Sequence, residues 1–260
     1  MNLKDVIAIL EEQSPKSFAC DWDNVGLLTG REDKEVKKIY IALDASDEAV
    51  KEAVEVEADL LLTHHPLIFK GMKRIVAEDF IGRRLIQLIQ NDVAYYAMHT
   101  NFDVKGMADL SAAMIGLEDS EVLDVTAVVD GKQEGIGRVG KLMEPMTVEE
   151  CAKFIKAAFS LKEIKIFGDP EWILTRAAIS PGSGKSEIDH AIVRKADVLI
   201  TGDIDHHEGM DAAARGLCIT DAGHYGLEHI FIRYMKEYLK ERCRELEIIT
   251  QEIKFPYWIC

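Results

Sequence analysis

Residues 58–69, ADLLLTHHPLIF, join a run of leucines to two adjacent histidines. A continuous apolar run such as Leu60–Leu62 is typical of a strand that is buried on both faces of a parallel sheet. His64 and His65 follow where this strand is expected to end. Adjacent side chains on a strand point to opposite faces, but the restriction is lifted past the strand end. Both imidazoles can therefore converge on one spot.

The segments around this stretch alternate between strand and helix patterns. Strands are predicted over KKIYIALDAS (37–46) and ADLLLTHH (58–65), and a strand running into a loop over VAYYAMHTNFD (93–103), with helices over 47–56 and 79–91. Apolar runs separated by helical segments indicate a parallel sheet with crossover helices. The fold class is therefore α/β, with mainly parallel sheets.

The second half of the chain repeats this rhythm. A strand followed by a loop is predicted over 175–184, strands over 196–203 and 217–224, and helices over 185–195, 207–215 and 225–241. ADVLIT (196–201) also matches ADLLLT (58–63) in pattern and partly in identity. The match suggests two similar α/β halves. The glycine-rich, charged stretch 118–145 is interpreted as a boundary with short strands.

Composition excludes several classes of protein. The net charge over 260 residues is -15, and no block of lysine or arginine is present, which disfavours nucleic acid as the main partner. The start lacks the apolar core of a signal peptide, and no apolar run approaches the length of a membrane span. Five cysteines are scattered without a CxxC pair, which argues against a disulfide framework and favours the cytoplasm.

Metal-ligand side chains follow the predicted strand ends. They are His64 and His65, His99 and Asp103, Asp203 and His207, and His224. In open parallel α/β sheets, functional sites form at the carboxyl ends of the strands. The sequence therefore predicts a site at this edge.

GHYGLE (223–228) adds a second ligand pair, because His224 and Glu228 are four residues apart and share one helix face. With His64, His65 and Asp103 they form a set of five ligands. Five exceed the number that one open catalytic zinc usually takes, so the set favours two metal ions. Nitrogen and oxygen donors without thiolate suit zinc, iron or manganese and do not separate them. His190 and His229, outside any strand end, are interpreted as structural.

Two further stretches leave alternatives open. PGSGKS (181–186) resembles a P-loop but lacks its first glycine, since that position is Ile179. Gly182, Ser183 and Gly184 form either a tight strand-to-helix turn or a backbone site for a substrate phosphate. Asn24, in DWDNVGLLTG (21–30), is either a loop residue beside a packed tryptophan or a substrate-binding residue.

The chain resembles one family through five motifs in the same order. They are DWDNVGLLTG, LLTHHPLIF, MHTNFD, TGDIDHHEGMDAA and DAGHYGLEH. The resemblance is to the Nif-three-like dinuclear metal-centre proteins, also called GTP cyclohydrolase I type 2. It implies two related α/β domains with a metal site in the cleft between them, and a toroidal homohexamer. The first domain is then expected at 1–125 plus 222–260 and the second at 126–221.

The resemblance carries the metal ligands onto the same five residues, with Glu228 as the bridging carboxylate. Two departures are visible: KGMADL (105–110) replaces paired glycines and an asparagine, and Leu227 stands where the family often has threonine. Neither removes a ligand. Both affect the rim of the pocket and hence the substrate.

We therefore expect a protein with two divalent metal ions that acts as a hydrolase on a nucleotide or another phosphorylated small molecule. His99 or His207 is the predicted proton shuttle, since histidine titrates near pH 7. The alternative is a non-catalytic scaffold that handles metal ions or regulates a partner.

Overall fold

The computed structural model describes residues 1–260 and divides into two compact units. Unit 1 comprises Met1–Phe102 and His229–Lys254, and unit 2 comprises Asp103–Glu228 and Phe255–Cys260. The sequence-based boundaries, after 125 and before 222, differ from this division. Residues 103–125 belong to unit 2 because the strand that starts at Glu118 pairs into the second sheet.

The elements alternate along the chain as the sequence predicts. The strands are β1 (Gly26–Thr29), β2 (Lys38–Ala42), β3 (Leu60–Thr63), β4 (Ala94–Ala97), β5 (Glu118–Val129), β6 (Lys132–Thr147), β7 (Lys165–Phe167), β8 (Ile173–Ser183), β9 (Val198–Gly202), β10 (Cys218–Asp221) and β11 (Glu247–Thr250). The helices are α1 (Leu3–Gln13), α2 (Asp47–Glu55), α3 (Phe80–Gln90), α4 (Thr100–Phe102), α5 (Ala108–Met114), α6 (Val148–Ala158), α7 (Glu187–Val193), α8 (His206–Ala214), α9 (His224–Glu228) and α10 (Ile230–Arg242). None of these helices has the length and apolar character needed to span a membrane.

Unit 1 holds a five-stranded sheet in the order β1-β4-β3-β2-β11. All its pairs are parallel except β1 with β4. Every residue of β3 and β4 is buried, which explains the unbroken run of leucines. Leu61 and Tyr95 pack in one core with Leu85 and Leu88 of α3. The sheet is thus held rigidly at the point where the two histidines leave β3.

Unit 2 holds a six-stranded sheet in the order β5-β6-β8-β9-β10-β7. Its centre, β8-β9-β10, is parallel, while the outer pairs are antiparallel. The structure therefore has a mainly parallel sheet in unit 1 and a mixed sheet in unit 2.

The expectation of short boundary strands over 118–145 is wrong. β5 and β6 form a long hairpin of 12 and 16 residues. Asp130 (φ 50°) and Gly131 (φ 78°) make its two-residue turn, as a type I′ turn requires. β5 is an edge strand and is largely exposed, so apolar alternation is weak and the strand signal is lost.

Three element ends also differ from the prediction. The strand within 93–103 ends at Ala97, but the loop expected after it is helical, with α4 followed by a π-helical turn, Asp103–Met107. β8 continues through Ser183 rather than ending before the glycines. The helix predicted over 225–241 is two helices that separate at His229.

The internal repeat is visible in the hydrogen bonds. The Oδ2 atom of Asp59, just before β3, accepts the backbone N–H groups of Lys37 at 2.8 Å and Lys38 at 3.0 Å. Asp197, just before β9, makes the same pair of bonds to the start of β8. The aspartates of ADLLLT and ADVLIT therefore anchor equivalent neighbouring strands in the two units.

Replacing Asp197 by alanine tests this anchoring role. Its Oδ2 accepts from the backbone N–H of Thr175 at 2.7 Å and of Arg176 at 2.9 Å. Loss of these charge-assisted bonds is expected to lower the free energy of unfolding by about 2 kcal/mol. Urea denaturation, with hydrogen exchange of the β9 amides, measures the change.

Asp189→Ala is the matched control, because Asp189 is an exposed acid that pairs only at the surface with Arg215. It should cost about 0.5 kcal/mol or less. Equal costs for the two variants would contradict the anchoring role.

Candidate metal centre

Three histidines of unit 1 lie at one edge of its sheet. His64 and His65 follow β3, and His99 follows β4 two residues after Ala97. β3 and β4 are parallel neighbours with Thr63 opposite Ala97, so their ends coincide. The ring centroid of His64 lies 4.8 Å from that of His65 and 5.3 Å from that of His99. One ring nitrogen of each histidine lies within 4.8 Å of the other two, which suits a shared metal ion.

Hydrogen bonds fix the orientation of the two adjacent rings. His64 Nδ1 lies 2.7 Å from the carbonyl oxygen of Met98, and His65 Nδ1 lies 2.8 Å from Asp44 Oδ1. Carbonyl and carboxylate oxygens only accept, so both Nδ1 atoms carry the proton and donate. In this tautomer Nε2 is the unprotonated ring nitrogen, the atom with which such a histidine binds a metal ion. Metal-ligating histidines usually show this arrangement.

His99 is oriented in the same way by Asp23, a residue that the sequence analysis missed. Its Nδ1 lies 2.9 Å from Asp23 Oδ1. Burial alone would raise the pKa of Asp23, but hydrogen bonds from His99 and Thr100 outweigh it and hold this pKa at about 2. Asp23 is therefore a fixed anion that orients His99. Only its place inside the DWDN motif could have identified it.

Two hydroxyl groups stabilise the backbone of the turn that carries His64 and His65. The hydroxyl of Thr63 donates to the carbonyl oxygen of His65 at 2.7 Å, and the hydroxyl of Tyr95 donates to the same oxygen at 2.9 Å. Tyr95 in turn accepts the backbone N–H of Leu67 at 2.8 Å. Burial raises the pKa of Tyr95, so its hydroxyl keeps the proton that it donates.

Unit 2 places His224 and Glu228 one helical turn apart on α9. His224 Nδ1 lies 2.7 Å from Asp203 Oδ2, so it donates there, like the histidines of unit 1. His224 Nε2 lies 3.0 Å from Glu228 Oε2, and Glu228 is only 3% exposed. A lone pair and a carboxylate oxygen repel each other at this distance unless a cation lies between them. A proton or a metal ion satisfies that requirement.

Asp103 adds a second carboxylate in unit 2. It is half-buried as the first residue of the π-helical turn, and one of its oxygens lies within 4.8 Å of a Glu228 oxygen. Two carboxylates this close repel each other unless a proton or a cation lies between them. Unit 2 therefore contributes two oxygen donors and one nitrogen donor.

The glycines of PGSGKS have a packing role in unit 2. Gly182 has φ +85°, and a Cβ at this position would lie 2.5 Å from Glu228 Oε1. A Cβ on Gly184 would clash with the side chain of Thr201. Ser183 pairs with Gly202 in the sheet. Close approach to Glu228 and β9 thus accounts for the glycines, while a phosphate-binding role remains a prediction.

The two remaining predicted residues have different surroundings. Asn24 Nδ2 donates to the carbonyl oxygen of Ile68 at 2.6 Å, so Asn24 ties its loop to the segment after the histidines. His207 is exposed in the first turn of α8, and its ring centroid lies 5.1 Å from that of His206. His207 belongs to none of the groups of His, Asp and Glu side chains that lie close enough together to hold a metal ion.

Comparison with known proteins extends over both units. The chain matches the family described as Duf34/NIF3 (NGG1p interacting factor 3) over residues 1–256. A GTP cyclohydrolase 1 type 2 homolog of Clostridium perfringens is 38% identical over 261 residues, covering 99% of each chain. A Bacillus cereus protein related to NIF3 has a similar structure, with a TM-score of 0.94, 25% identity and coverage of 100% of this chain and 99% of the other. Reduced HcgD from Methanocaldococcus jannaschii has a TM-score of 0.82 and 33% identity, covering 96% and 97%.

The orienting role of Asp44 can be tested by Asp44→Ala. Loss of the bond to His65 Nδ1 frees the ring and is expected to lower metal affinity by about 10- to 100-fold. Calorimetric titration of the metal-free chain with zinc measures the affinity. Asp33→Ala is the control, since the Asp33 side chain is 85% exposed and pairs only with Arg31. An unchanged affinity in Asp44→Ala would remove Asp44 from the site.

Gly182→Ala tests the close approach to Glu228, with Gly131→Ala as its control. Both glycines have positive φ, but a Cβ on Gly131 meets nothing within 4 Å. Each variant is expected to lose about 1 kcal/mol of stability from the backbone strain. Only Gly182→Ala should also displace the Glu228 carboxylate and lower the metal content per chain. Equal metal content in both variants would show that the contact is unimportant.

Proposed function

The chain belongs to the Duf34/NIF3 family, and we propose that it holds two divalent metal ions through His64, His65, Asp103, His224 and Glu228. The observation that carries this proposal is the common orientation of the three histidines. Each donates Nδ1 to an oxygen of its own unit, which makes Nε2 the ring nitrogen that would bind a metal ion.

The donor set supports zinc, iron or manganese. Three imidazoles and two carboxylates offer nitrogen and oxygen without thiolate. Five side-chain donors exceed what a single open zinc ion takes, which supports two ions with Glu228 as the bridging carboxylate. Glu228 also lies near both Asp103 and His224 in unit 2, which supports a bridging role.

The activity that we propose is metal-dependent hydrolysis of a nucleotide or another phosphorylated small molecule. Bound metal ions supply an activated water and polarise the bond that is broken. The Clostridium perfringens relative is named a GTP cyclohydrolase 1 type 2 homolog, which makes GTP the first substrate to test.

His99 is the better supported of the two predicted proton carriers. Asp23 fixes its ring beside those of His64 and His65, and its side chain is only 17% exposed. His207 lacks such an anchor and is exposed on α8. We therefore assign proton transfer to His99 first and keep His207 as the second candidate.

An aromatic pair beside the histidines supports a substrate with a flat ring. Trp22 is 60% exposed and Phe69 is 49% exposed, and their ring centroids are 5.7 Å apart. The Trp22 centroid also lies 6.0 Å from that of His99. Exposed aromatic faces stack readily on nucleobases. Asn24 joins the loop that carries Trp22 to the segment that carries Phe69, and it therefore shapes this surface.

The setting that we propose is a homohexamer in the cytoplasm with small-molecule substrates. The resemblance to the family supports the hexamer. The C-terminal side chains support a subunit contact, because Trp258 is 83% exposed and Ile259 is 66% exposed. The net charge of -15 argues against nucleic acid as a partner.

Metal content per chain, measured by plasma mass spectrometry on untagged protein purified without chelators, tests the ligand set. Wild type should carry about two ions, as a two-metal site requires. His224→Ala and Glu228→Ala should lose metal while circular dichroism shows an unchanged fold. Asp211→Ala, an exposed acid of α8, should keep the wild-type content. Full metal content in either ligand variant would refute the five-residue assignment.

A GTP turnover assay on the same samples separates the two functions. Turnover by wild type that His224→Ala and Glu228→Ala lack supports the hydrolase. Two bound ions without turnover of GTP or other nucleotides would instead favour the metal-handling scaffold.

A further inference from the structure

A second group of ligand-type side chains lies in unit 2 and shares no residue with the five proposed ligands. It consists of Asp124 on β5 and of Glu187 and His190 on α7. Glu187 and His190 are three residues apart and so lie on the same face of the helix. One ligand atom of each residue lies within 4.8 Å of the other two. His190, which the sequence analysis interpreted as structural, therefore faces two carboxylates.

Glu187 is the strongest evidence for a ligand-binding site in this group. It is only 3% exposed. Its Oε1 accepts a hydrogen bond from the Ser186 hydroxyl at 2.9 Å, whereas its Oε2 is fully buried and has no hydrogen-bond partner. A buried carboxylate oxygen without a partner is costly, so such groups are usually paired or coordinate a metal.

The charges around Glu187 also favour a cation. Burial raises the pKa of Glu187, and Asp124 raises it further, while Ser186 and His190 lower it. No lysine or arginine takes part in this balance. A divalent ion would neutralise both carboxylates and remove their repulsion.

The spacing of the donors fits a small divalent ion. His190 Nδ1 lies 3.6 Å from Asp124 Oδ1. Two ligands that are each ~2.1 Å from a tetrahedral zinc ion lie about 3.4 Å apart. The side chains of His190 and Asp124 are 44% and 28% exposed, so an ion and its water can enter from solvent. Imidazole and carboxylate are both ligands that zinc accepts, and three protein ligands are the number found in open zinc sites, so zinc is the ion to test.

We propose that Asp124, Glu187 and His190 form a separate zinc site in unit 2. β5 belongs to the exposed edge hairpin, and α7 packs against the sheet through Ile188 and Ala191. An ion at this site would therefore tie the hairpin to the helix layer. Its expected effect is to stabilise unit 2, independently of whether the five-residue centre is catalytic.

Anomalous diffraction from crystals of the full chain grown with zinc locates the ion directly. Data collected above and below the zinc absorption edge should show a peak among Asp124, Glu187 and His190. The peak should disappear in Glu187→Gln and persist in Asp189→Asn, the control on the same helix. A wild-type map without this peak, or a peak that survives Glu187→Gln, would overturn the proposal. Peaks at the five-residue centre are separate positions, so the failure of one site is distinguishable from the failure of the other.

A zinc titration in solution guards against a folding defect in Glu187→Gln. His190→Gln changes a partly exposed residue and should leave the fold intact. The titration is carried out in Glu228→Ala, which removes the zinc signal of the five-residue centre. In this background, His190→Gln should lower the affinity for zinc by about tenfold or more. Zinc should also raise the melting temperature of the Glu228→Ala chain but not that of Glu228→Ala with His190→Gln. Equal affinity and equal thermal shifts with and without His190→Gln would count against the site, and would favour a protonated Glu187 that bonds to Asp124.

Discussion

Parallel pairing of β3 with β4 is the constraint on which the candidate centre depends. With Thr63 opposite Ala97, both strands end at the same level, so the loops that carry His64, His65 and His99 start side by side. A shift of one residue would turn every side chain of β3 to the opposite face. Because both strands are buried throughout, such a shift would also break the core. The packing that stabilises unit 1 therefore also sets the positions of its imidazoles.

A second constraint fixes the orientation of the imidazole rings, because an oxygen atom accepts a hydrogen bond from each Nδ1. Asp44, Asp23 and Asp203 each orient one ring, and the carbonyl of Met98 orients the fourth. A carboxylate behind an imidazole fixes its tautomer and makes Nε2 more basic. It also adds negative charge near a site meant for cations, in a chain whose net charge is already -15.

Prediction from sequence succeeded where one local pattern determined the outcome. The leucines of β3 were found because a buried strand needs an unbroken apolar run, and His224 with Glu228 because a helix turn brings them together. It failed where a contact joins distant segments. Asp23 contacts His99, 76 positions away, and Gly182 lies against Glu228, 46 positions away. No local periodicity of the sequence indicates either contact. The proximity of His190 to Asp124 was not foreseen for the same reason, since Asp124 comes from the hairpin that was not predicted.

The internal repeat explains how equivalent positions of the two units carry a proposed metal ligand in one unit and an orienting aspartate in the other. The backbone N–H of Met98 donates to the carbonyl of Thr63 in unit 1, and the N–H of Ala222 donates to that of Thr201 in unit 2, at 2.9 and 2.8 Å. Thr63 and Thr201 are therefore equivalent.

The second residue after this threonine is His65 in unit 1 and Asp203 in unit 2. The same strand-end position thus carries a proposed ligand in one unit and the group that orients a proposed ligand in the other. His65 needs Asp44 from the end of β2 to hold its ring, whereas in unit 2 the orienting aspartate itself follows the central strand and holds His224. The fold fixes the position at which a polar side chain follows the strand. The residue type at that position decides whether the side chain is a proposed metal ligand, as His65 is, or orients one, as Asp203 does.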